Sequence, residues 1–458
     1  MDKCPSSSRL SRFIDQAAAA IITCAGMAVI VTLAAMPALM LREAAPLFLP
    51  ASREFIDEIR LPEEIKPEQV AALAVAADLS GRTRTASLLL TDGRLGFVSQ
   101  RNGGSAPPDW RRLPGSPAAI RQAEDLGEGK FSLFRSDDTL ALALIDVEFK
   151  NLPGEAPAVQ PMARQLLEVD LNDGEASPAH AMLRGDENAY LAVAVYADGT
   201  VREKRLVPAK GLLARGKGAV IERKTRVKLP APLSAAVLNR SGERLYLGTS
   251  GGDLITLDLT GDPESEVPWD VIPAFRDRRA VTALAFLSGN YSLAAGDSSG
   301  GISVWFPRRE GGEFRLRQAA TWPVGGEAVA RFTPCLRDRS FFARRRDGSL
   351  DWLHSTTGNE LARFPAPSPG LEQIALNSRG DNLLLLRSDG GLEFQRLDSA
   401  YPETGWRGFF RRLLYEGHER PAFIWQSSGP EGGEPKLSLV PLIWGSVKAA
   451  VFALLFAT

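Results

Sequence analysis

The sequence predicts an all-β fold, a β-propeller of about seven blades with one transmembrane helix at either end of it. A pattern of strand, turn, strand, hairpin and strand recurs along the middle of the chain, which indicates a repeat domain. Apolar runs of membrane-spanning length lie near both ends of the chain. With 458 residues, the chain is long enough for one large repeat domain with attached segments.

The repeat is clearest in four segments that begin at Leu233, Val281, Ala328 and Leu371. Each contains two alternating apolar strands, a hairpin with glycine and a third strand, as in WD40-like blades. The hairpin glycines are 49, 48 and 42 residues apart, which is typical of blades, and they are Gly251, Gly300, Gly348 and Gly390. A tight hairpin needs positive φ, which glycine adopts readily, so we interpret these glycines as structural.

The N-terminal half of the repeat region is less regular. The same hairpin occurs at Gly93 and Gly199, and a degenerate segment from Lys130 supplies one blade between them. We therefore count seven blades, although a ring of six or eight would show similar spacing if its ends shared strands. Pairing strands from both ends of the region in one blade would close the ring and bring its two termini together.

The N-terminal apolar run, residues 17–41, contains no charged residue and predicts an uncleaved transmembrane helix. Its 25 residues would span about 37 Å as a helix, whereas the apolar region of a cleaved signal peptide is shorter. Lys3, Arg9 and Arg12 precede the run, so residues 1–16 are expected in the cytoplasm and the propeller outside.

The C-terminal apolar run, residues 437–458, is interrupted only by Lys448 and predicts a second transmembrane helix. A buried core helix would have a similar composition. The preceding segment has apolar residues at helical spacing, namely Trp406, Phe409, Phe410, Leu413 and Leu414, and three arginines on the other face. This pattern predicts an interfacial helix in the lipid headgroup layer, and a helix packed beneath the propeller would show the same pattern.

Several classes of function have no support in the sequence. The 54 basic and 55 acidic side chains leave no excess positive charge for a nucleic-acid partner. None of the three histidines has a second histidine or a cysteine at metal-ligand spacing, and no phosphate-binding glycine loop occurs. The GDSSGG segment resembles a serine-protease loop but coincides with a blade hairpin. We therefore predict no catalytic residue, no metal and no cofactor, and no enzymatic activity.

The C-terminal stretch resembles the start of the transport domain of PstC-type phosphate ABC transporter permeases, in the long form with an extracytoplasmic propeller-like insert. The positions that carry the resemblance are Tyr415, Glu416, Gly417, Trp425, Gln426, Ser427, Ser428, Glu434, Pro435, Lys436, Ser438, Leu439, Val440, Pro441, Gly445, Ser446, Val447 and Lys448. Only about the last 45 residues are rich in these motifs. The basic N-terminus, the first apolar run and the APLF segment also resemble that form.

The resemblance implies a subunit of the bacterial inner membrane. Its partners would be a second permease subunit, an ATP-hydrolysing subunit and a periplasmic phosphate-binding protein, and the propeller would be a periplasmic docking or regulatory domain. The sequence stops within the second apolar run, so we expect it to be the N-terminal part of a longer permease. The alternative is a membrane-anchored propeller that acts as a scaffold for envelope protein assembly. The substrate-binding residues are unknown.

These interpretations predict five segments. They are a cytoplasmic N-terminus over 1–16, a transmembrane helix over 17–41, an extracytoplasmic propeller over 50–400, a linker with the interfacial helix over 401–436, and the truncated first part of the permease transmembrane domain over 437–458.

Overall fold

A computed structural model describes most of the chain. The described residues are 9–45, 49–101, 104–105, 108–150, 158–172, 174, 176–186, 189–207, 219–261, 267, 269–287, 292–310, 313–323, 325–399, 401–415, 418, 420–426 and 435–457. The chain divides into two compact units, residues 1–50 and residues 51–458.

The first unit is dominated by one long helix, α1 (Arg9–Ala44). The predicted transmembrane run lies within this helix, and its apolar part from Ala17 to Thr32 is exposed. The hydroxyls of Thr23 and Thr32 donate to carbonyls four residues earlier, at 2.8 and 2.7 Å, so both polar groups have partners inside the helix. That α1 crosses a membrane stays a prediction.

The described part of the second unit contains seven antiparallel sheets of four or five strands. The first strand, β1 (Ser52–Arg60), belongs to the last blade, and a 3₁₀ turn (Pro67–Gln69) follows it. Blade 1 contains β2 (Val70–Ala77), β3 (Thr83–Leu90), β4 (Arg94–Arg101), β5 (Gly104–Ser105) and β6 (Asp109–Arg112). Blade 2 contains β7 (Ile120–Gly127), β8 (Lys130–Arg135), β9 (Thr139–Lys150) and β10 (Ala158–Asp170). Blade 3 contains β11 (His180–Asp186), β12 (Ala189–Val195), β13 (Thr200–Val207) and β14 (Ala219–Arg226).

The other four blades have the same order of strands. Blade 4 contains β15 (Leu233–Leu238), β16 (Arg244–Thr249), β17 (Asp253–Asp258) and β18 (Trp269–Pro273). Blade 5 contains β19 (Val281–Phe286), β20 (Leu293–Asp297), β21 (Ile302–Glu310) and β22 (Glu313–Trp322). Blade 6 contains β23 (Val329–Pro334), β24 (Ser340–Arg345), β25 (Leu350–His354) and β26 (Glu360–Phe364). Blade 7 contains β27 (Leu371–Leu376), β28 (Asn382–Arg387), β29 (Gly391–Asp398) and β1.

The first strands of neighbouring blades contact one another around a central channel, and β27 contacts β2 to complete the circle. One apolar core cluster fills each of the seven interfaces between adjacent blades. The second strand of a blade is covered on both faces, which is why β28 carries four consecutive leucines and why every residue of β3 is buried. The predicted seven-bladed propeller is confirmed.

The ring is closed by strands from both ends of the repeat region, as predicted. β1 pairs with β29 over its whole length, from Ser52 opposite Asp398 to Arg60 opposite Gly391. The pairing is reinforced by an ion pair between Glu58 and Arg387 at 2.7 Å. Because Ser52 and Asp398 are neighbours, the chain enters and leaves the ring on the same face, which we call the exit face.

The hairpin between the second and third strands of each blade has one residue with positive φ. In blade 4 this residue is Gly252, with φ of 80°, so the predicted assignment to Gly251 is wrong by one position. In blade 2, Asp138 takes the position of the glycine, with φ of 60°. The preceding aspartate often caps the turn: the Asp198 carboxylate accepts the amide of Thr200 at 2.9 Å, and this hydrogen bond lowers the pKa of Asp198.

After the ring, the described chain contains four short or exposed elements. They are α2 (Trp406–Phe410), β30 (Trp425–Gln426), β31 (Lys436–Leu437) and α3 (Val440–Ala457). β30 and β31 pair with each other.

Candidate functional site

The segment that follows the ring is fixed to the exit face. We call residues 401–415 the strap. The Arg407 guanidinium donates to the carbonyl of Gly358 at 2.7 Å, and the Asn359 amide donates to the carbonyl of Thr404 at 2.6 Å. Gly358 and Asn359 form the turn between β25 and β26, which lies on the exit face. The strap is therefore part of the propeller unit and not a free linker.

The apolar residues predicted for the interfacial helix do not share one environment. Phe409 and Leu413 are buried, Phe410 and Leu414 are half-buried, and Trp406 is 75% exposed. Leu414 packs on the core cluster between blades 5 and 6. This packing was the second of the two arrangements compatible with the sequence pattern. Contact of the remaining exposed residues with lipid stays a prediction.

The helix in the strap is also shorter than the apolar spacing predicts. α2 ends at Phe410, and Arg411 is in an extended conformation. Leu413 instead exchanges backbone hydrogen bonds with Ala422, at 3.2 and 3.0 Å. The carbonyl and amide of Leu413 therefore have partners outside the helix, which is why the helix does not continue to Leu414.

The residues of the family motif lie at the junction between the strap and α3. Trp425 and Gln426 form β30, opposite Leu437 and Lys436 of β31. Pro441, Gly445 and Lys448 lie on α3, where Gly445 and Lys448 are exposed. Ser427, with Glu416, Gly417, Ser428 and Glu434, lies outside the described residues.

One carbonyl connects the strap to the start of α3. The carbonyl of Phe409 accepts the hydroxyl of Ser438 at 3.2 Å and the amide of Leu439 at 3.0 Å. Ser438 is fully buried, and its amide donates to the carbonyl of Ile424 at 2.9 Å. The last residues before α3 are thus held by two hydrogen bonds to the strap and by one to Ile424.

α3 itself makes little contact with the propeller. It has 18 residues with a mean hydropathy of 1.9 and no buried residue. Among the described residues, it is the one helix with the length and composition to cross a membrane. The corresponding apolar stretch of α1, Ala17–Thr32, is shorter.

A second polar site lies in the central channel, where sequence reasoning predicted nothing. Arg331 on β23 of blade 6 donates to the carbonyl of Ala123 on β7 of blade 2, at 3.2 Å. These blades are on opposite sides of the ring, so this side chain crosses the channel. Arg344 on β24 is directly opposite Arg331 in the strand register, and it donates to the carbonyl of Leu371 at 3.2 Å.

Asp125 on β7 lies close enough to Arg331 for their charges to interact. The Asp125 side chain has accessible surface, yet desolvation by the surrounding protein raises its pKa, which the amide of Gly127 and the charge of Arg331 partly oppose. The neighbouring Glu124 binds Arg184 at 2.9 Å.

The sequence feature that marks this site is the presence of charged residues in the first strands of blades 2 and 6, β7 and β23. β7 reads IRQAEDLG, and the sequence pattern predicted no strand there because its charged residues break the apolar alternation. Arg331 interrupts the apolar VARFTP of β23 in the same way.

A shallow groove of about 650 Å³ lies between blades 3 and 4, on the face opposite the exit face. Asp198 and Arg226, which are 3.6 Å apart, line it together with Lys228, Leu229 and Pro232. The groove combines charged and apolar groups, as protein-docking surfaces do.

No family model matches this chain, and no curated protein matches it. Among solved structures, a chain of a mitotic checkpoint complex is 12% identical, with a TM-score of 0.46, over 77% of this chain and 95% of that chain. Sqt1 of Chaetomium thermophilum, bound to the N-terminus of the ribosomal protein L10, is 16% identical, with a TM-score of 0.46, over 70% of this chain and 82% of that chain.

Proposed function

We propose that this chain is a membrane-anchored β-propeller subunit, the N-terminal part of an inner-membrane permease of an ABC-type phosphate importer. In this proposal the propeller is a periplasmic docking or regulatory domain. The observation that carries the membrane anchor is the exposed apolar helix α3, which follows residues that are hydrogen-bonded to the strap on the exit face. The transport class and phosphate are supported by the resemblance of residues 415–448 to PstC-type permeases.

Physical chemistry favours a non-aqueous environment for α3. A helix that is apolar on all sides is stable in a protein interior or in a membrane, but not in water. The 18 residues of α3 extend about 27 Å, close to the thickness of a bilayer core of about 30 Å. No residue of α3 is buried and most are exposed, which favours lipid or other membrane helices as its surroundings.

The position of Lys448 in α3 favours packing of this helix against another helix within the membrane. It is the ninth of the 18 residues of α3, near the middle of the proposed span. A lysine at the centre of a membrane helix costs about 2.5 to 3.5 kcal/mol on insertion scales, and such residues usually face other helices. This position suits a subunit that packs against further permease helices better than a single isolated anchor.

The two parts of the proposal can be tested separately in cells. Extraction of membranes with alkaline carbonate should leave the full chain in the pellet, and protease added to spheroplasts should digest the propeller. Release of the chain by carbonate would contradict the membrane anchor. Phosphate uptake should fall when the gene is deleted and recover when it is restored, with Arg94→Gln on an exposed hairpin as a control that recovers equally.

The two outcomes lead to different functions. A chain that stays in the membrane while its deletion leaves phosphate uptake unchanged would contradict transport. That result would favour the alternative, a membrane-anchored scaffold for envelope protein assembly, for which the propeller and its anchors suffice.

A further inference from the structure

We infer that the central channel contains a binding site for a small oxyanion, formed by Arg331 and Arg344 of blade 6. This inference concerns the ring alone and does not depend on the membrane anchor or on transport. It rests on the position of the two guanidinium groups, on their partners and on the enclosure of the channel.

The two arginines are arranged in a way that is unfavourable without a ligand. They are directly opposite each other on adjacent strands, where like charges repel. Burial and the charge of Arg331 lower the pKa of Arg344, while Glu372 opposes this effect. Arginine nevertheless stays protonated in proteins, so two positive charges remain close enough to repel each other.

Neither guanidinium forms an ion pair with a carboxylate among the residues that the structure describes. Arg331 donates to the carbonyl of Ala123 and Arg344 to the carbonyl of Leu371, each through one nitrogen. A guanidinium has five N–H donors in a planar fork that suits carboxylate, phosphate and sulfate groups. Donors therefore remain on both side chains for a ligand between them.

Two buried arginines of the propeller are instead paired with carboxylates. Arg345, the residue after Arg344, binds Asp351 at 2.6 Å, and Arg223 binds Glu203 at 2.7 Å. Arg331 and Arg344 differ from these because their nearest partners are uncharged carbonyls. A bound oxyanion would accept hydrogen bonds from the N–H groups that remain on these two side chains.

The channel limits the size of the ligand. A single arginine side chain reaches from β23 across to β7, so the space beside it is narrow. Arg331 is exposed and Arg344 is half-buried, so the site can be reached from the channel. Asp125 and Glu372, the carboxylates whose charges act on these arginines, would disfavour a large polyanion.

Isothermal titration calorimetry of the full chain in detergent tests this site. Inorganic phosphate, sulfate and acetate are titrated at constant ionic strength, because direct binding must be separated from general stabilisation by sulfate and phosphate. We expect saturable binding of at least one anion by the unaltered chain. Stronger binding of phosphate and sulfate identifies a tetrahedral ligand, and stronger binding of acetate identifies a carboxylate.

Two substitutions assign the binding to the arginines. Arg331→Met and Arg344→Met should each weaken it at least tenfold, whereas Arg331→Lys and Arg344→Lys, which keep the charge, should weaken it less. Arg94→Gln, on an exposed hairpin of blade 1, removes the same charge elsewhere and should leave binding unchanged. Absence of binding for all three anions, or binding that survives both methionine substitutions in folded protein, would overturn the inference.

Discussion

Each blade hairpin depends on one residue whose backbone is left-handed. The residues are Gly93, Asp138, Gly199, Gly252, Gly300, Gly348 and Gly390. In each hairpin the amide of this residue donates to the carbonyl three positions earlier, for example from Gly252 to Thr249 at 3.1 Å. Asp138 shows that the position tolerates a side chain, since aspartate adopts this conformation more readily than most residues and its carboxylate here accepts the hydroxyl of Ser177 at 2.5 Å.

Two of these glycines differ in what a side chain would meet. At Gly93, with φ of 81°, an added Cβ would have no atom within 4 Å. At Gly252, with φ of 80°, it would lie 2.4 Å from the backbone carbon of Arg278. Gly93→Ala should therefore lower the free energy of unfolding by about 1 to 2 kcal/mol, the cost of the left-handed conformation alone. Gly252→Ala should lower it by about a further 1 to 3 kcal/mol, because the backbone must move.

Urea unfolding of the two alanine variants and the unaltered chain measures this difference. Equal losses of stability would contradict the role assigned to Arg278. Sequence alone could not separate the two glycines, since both occur in similar hairpins and the contact comes from the connection to the next blade.

The strap also shows what the sequence alone could not predict, here at the scale of a whole element. The spacing of its apolar residues predicted a helix with one apolar face, and α2 begins at the first of them. The sequence could not show which residues are covered by the propeller, because Gly358 and Asn359 lie 49 and 45 residues before the strap residues that they contact. The blades were more predictable, since their hairpins and alternating strands are local. The first strands of blades 2 and 3, β7 and β11, lay outside the predicted blade segments. In β7 the reason is that a strand that borders a polar channel does not need an apolar inner face.

Two aromatic residues of α2, Trp406 and Phe409, should respond differently to replacement by alanine. Phe409 is 3% exposed, so Phe409→Ala should destabilise the strap by about 3 kcal/mol through lost burial and the cavity left behind. Trp406 is 75% exposed, so Trp406→Ala should change stability by less than about 0.5 kcal/mol. Limited proteolysis in detergent measures the effect, with faster cleavage after residue 400 expected for Phe409→Ala only. Faster cleavage in both variants would mean that Trp406 also holds the strap.

At the scale of the whole molecule, stability depends on a strand that is distant in sequence from its blade. β1 covers β29, which would otherwise be an exposed edge with unpaired backbone groups. Ile56 and Ile59 of β1 also pack on the core cluster between blades 7 and 1. The need for closure was predictable from the repeat, because an open ring would expose the edges of its terminal blades. The register was not, since β1 has no hairpin partner next to it in sequence.

Closure of the ring by β1 predicts that deletion of β1 and deletion of α1 affect the melting temperature differently. Deletion of residues 52–60 removes the outer strand of blade 7 and its ion pairs with Arg387 and Arg396, so the ring loses its closing contacts. We expect the melting temperature to fall by roughly 10 °C or more, with a broadened calorimetric transition. Deletion of residues 9–44 removes α1, which belongs to the other compact unit, and should leave the transition of the propeller within about 2 °C. If deletion of residues 52–60 also left the melting temperature within about 2 °C, the ring would not depend on β1 for closure, and the outer strand of blade 7 would be dispensable, as an edge strand can be when the remaining three strands bury the core.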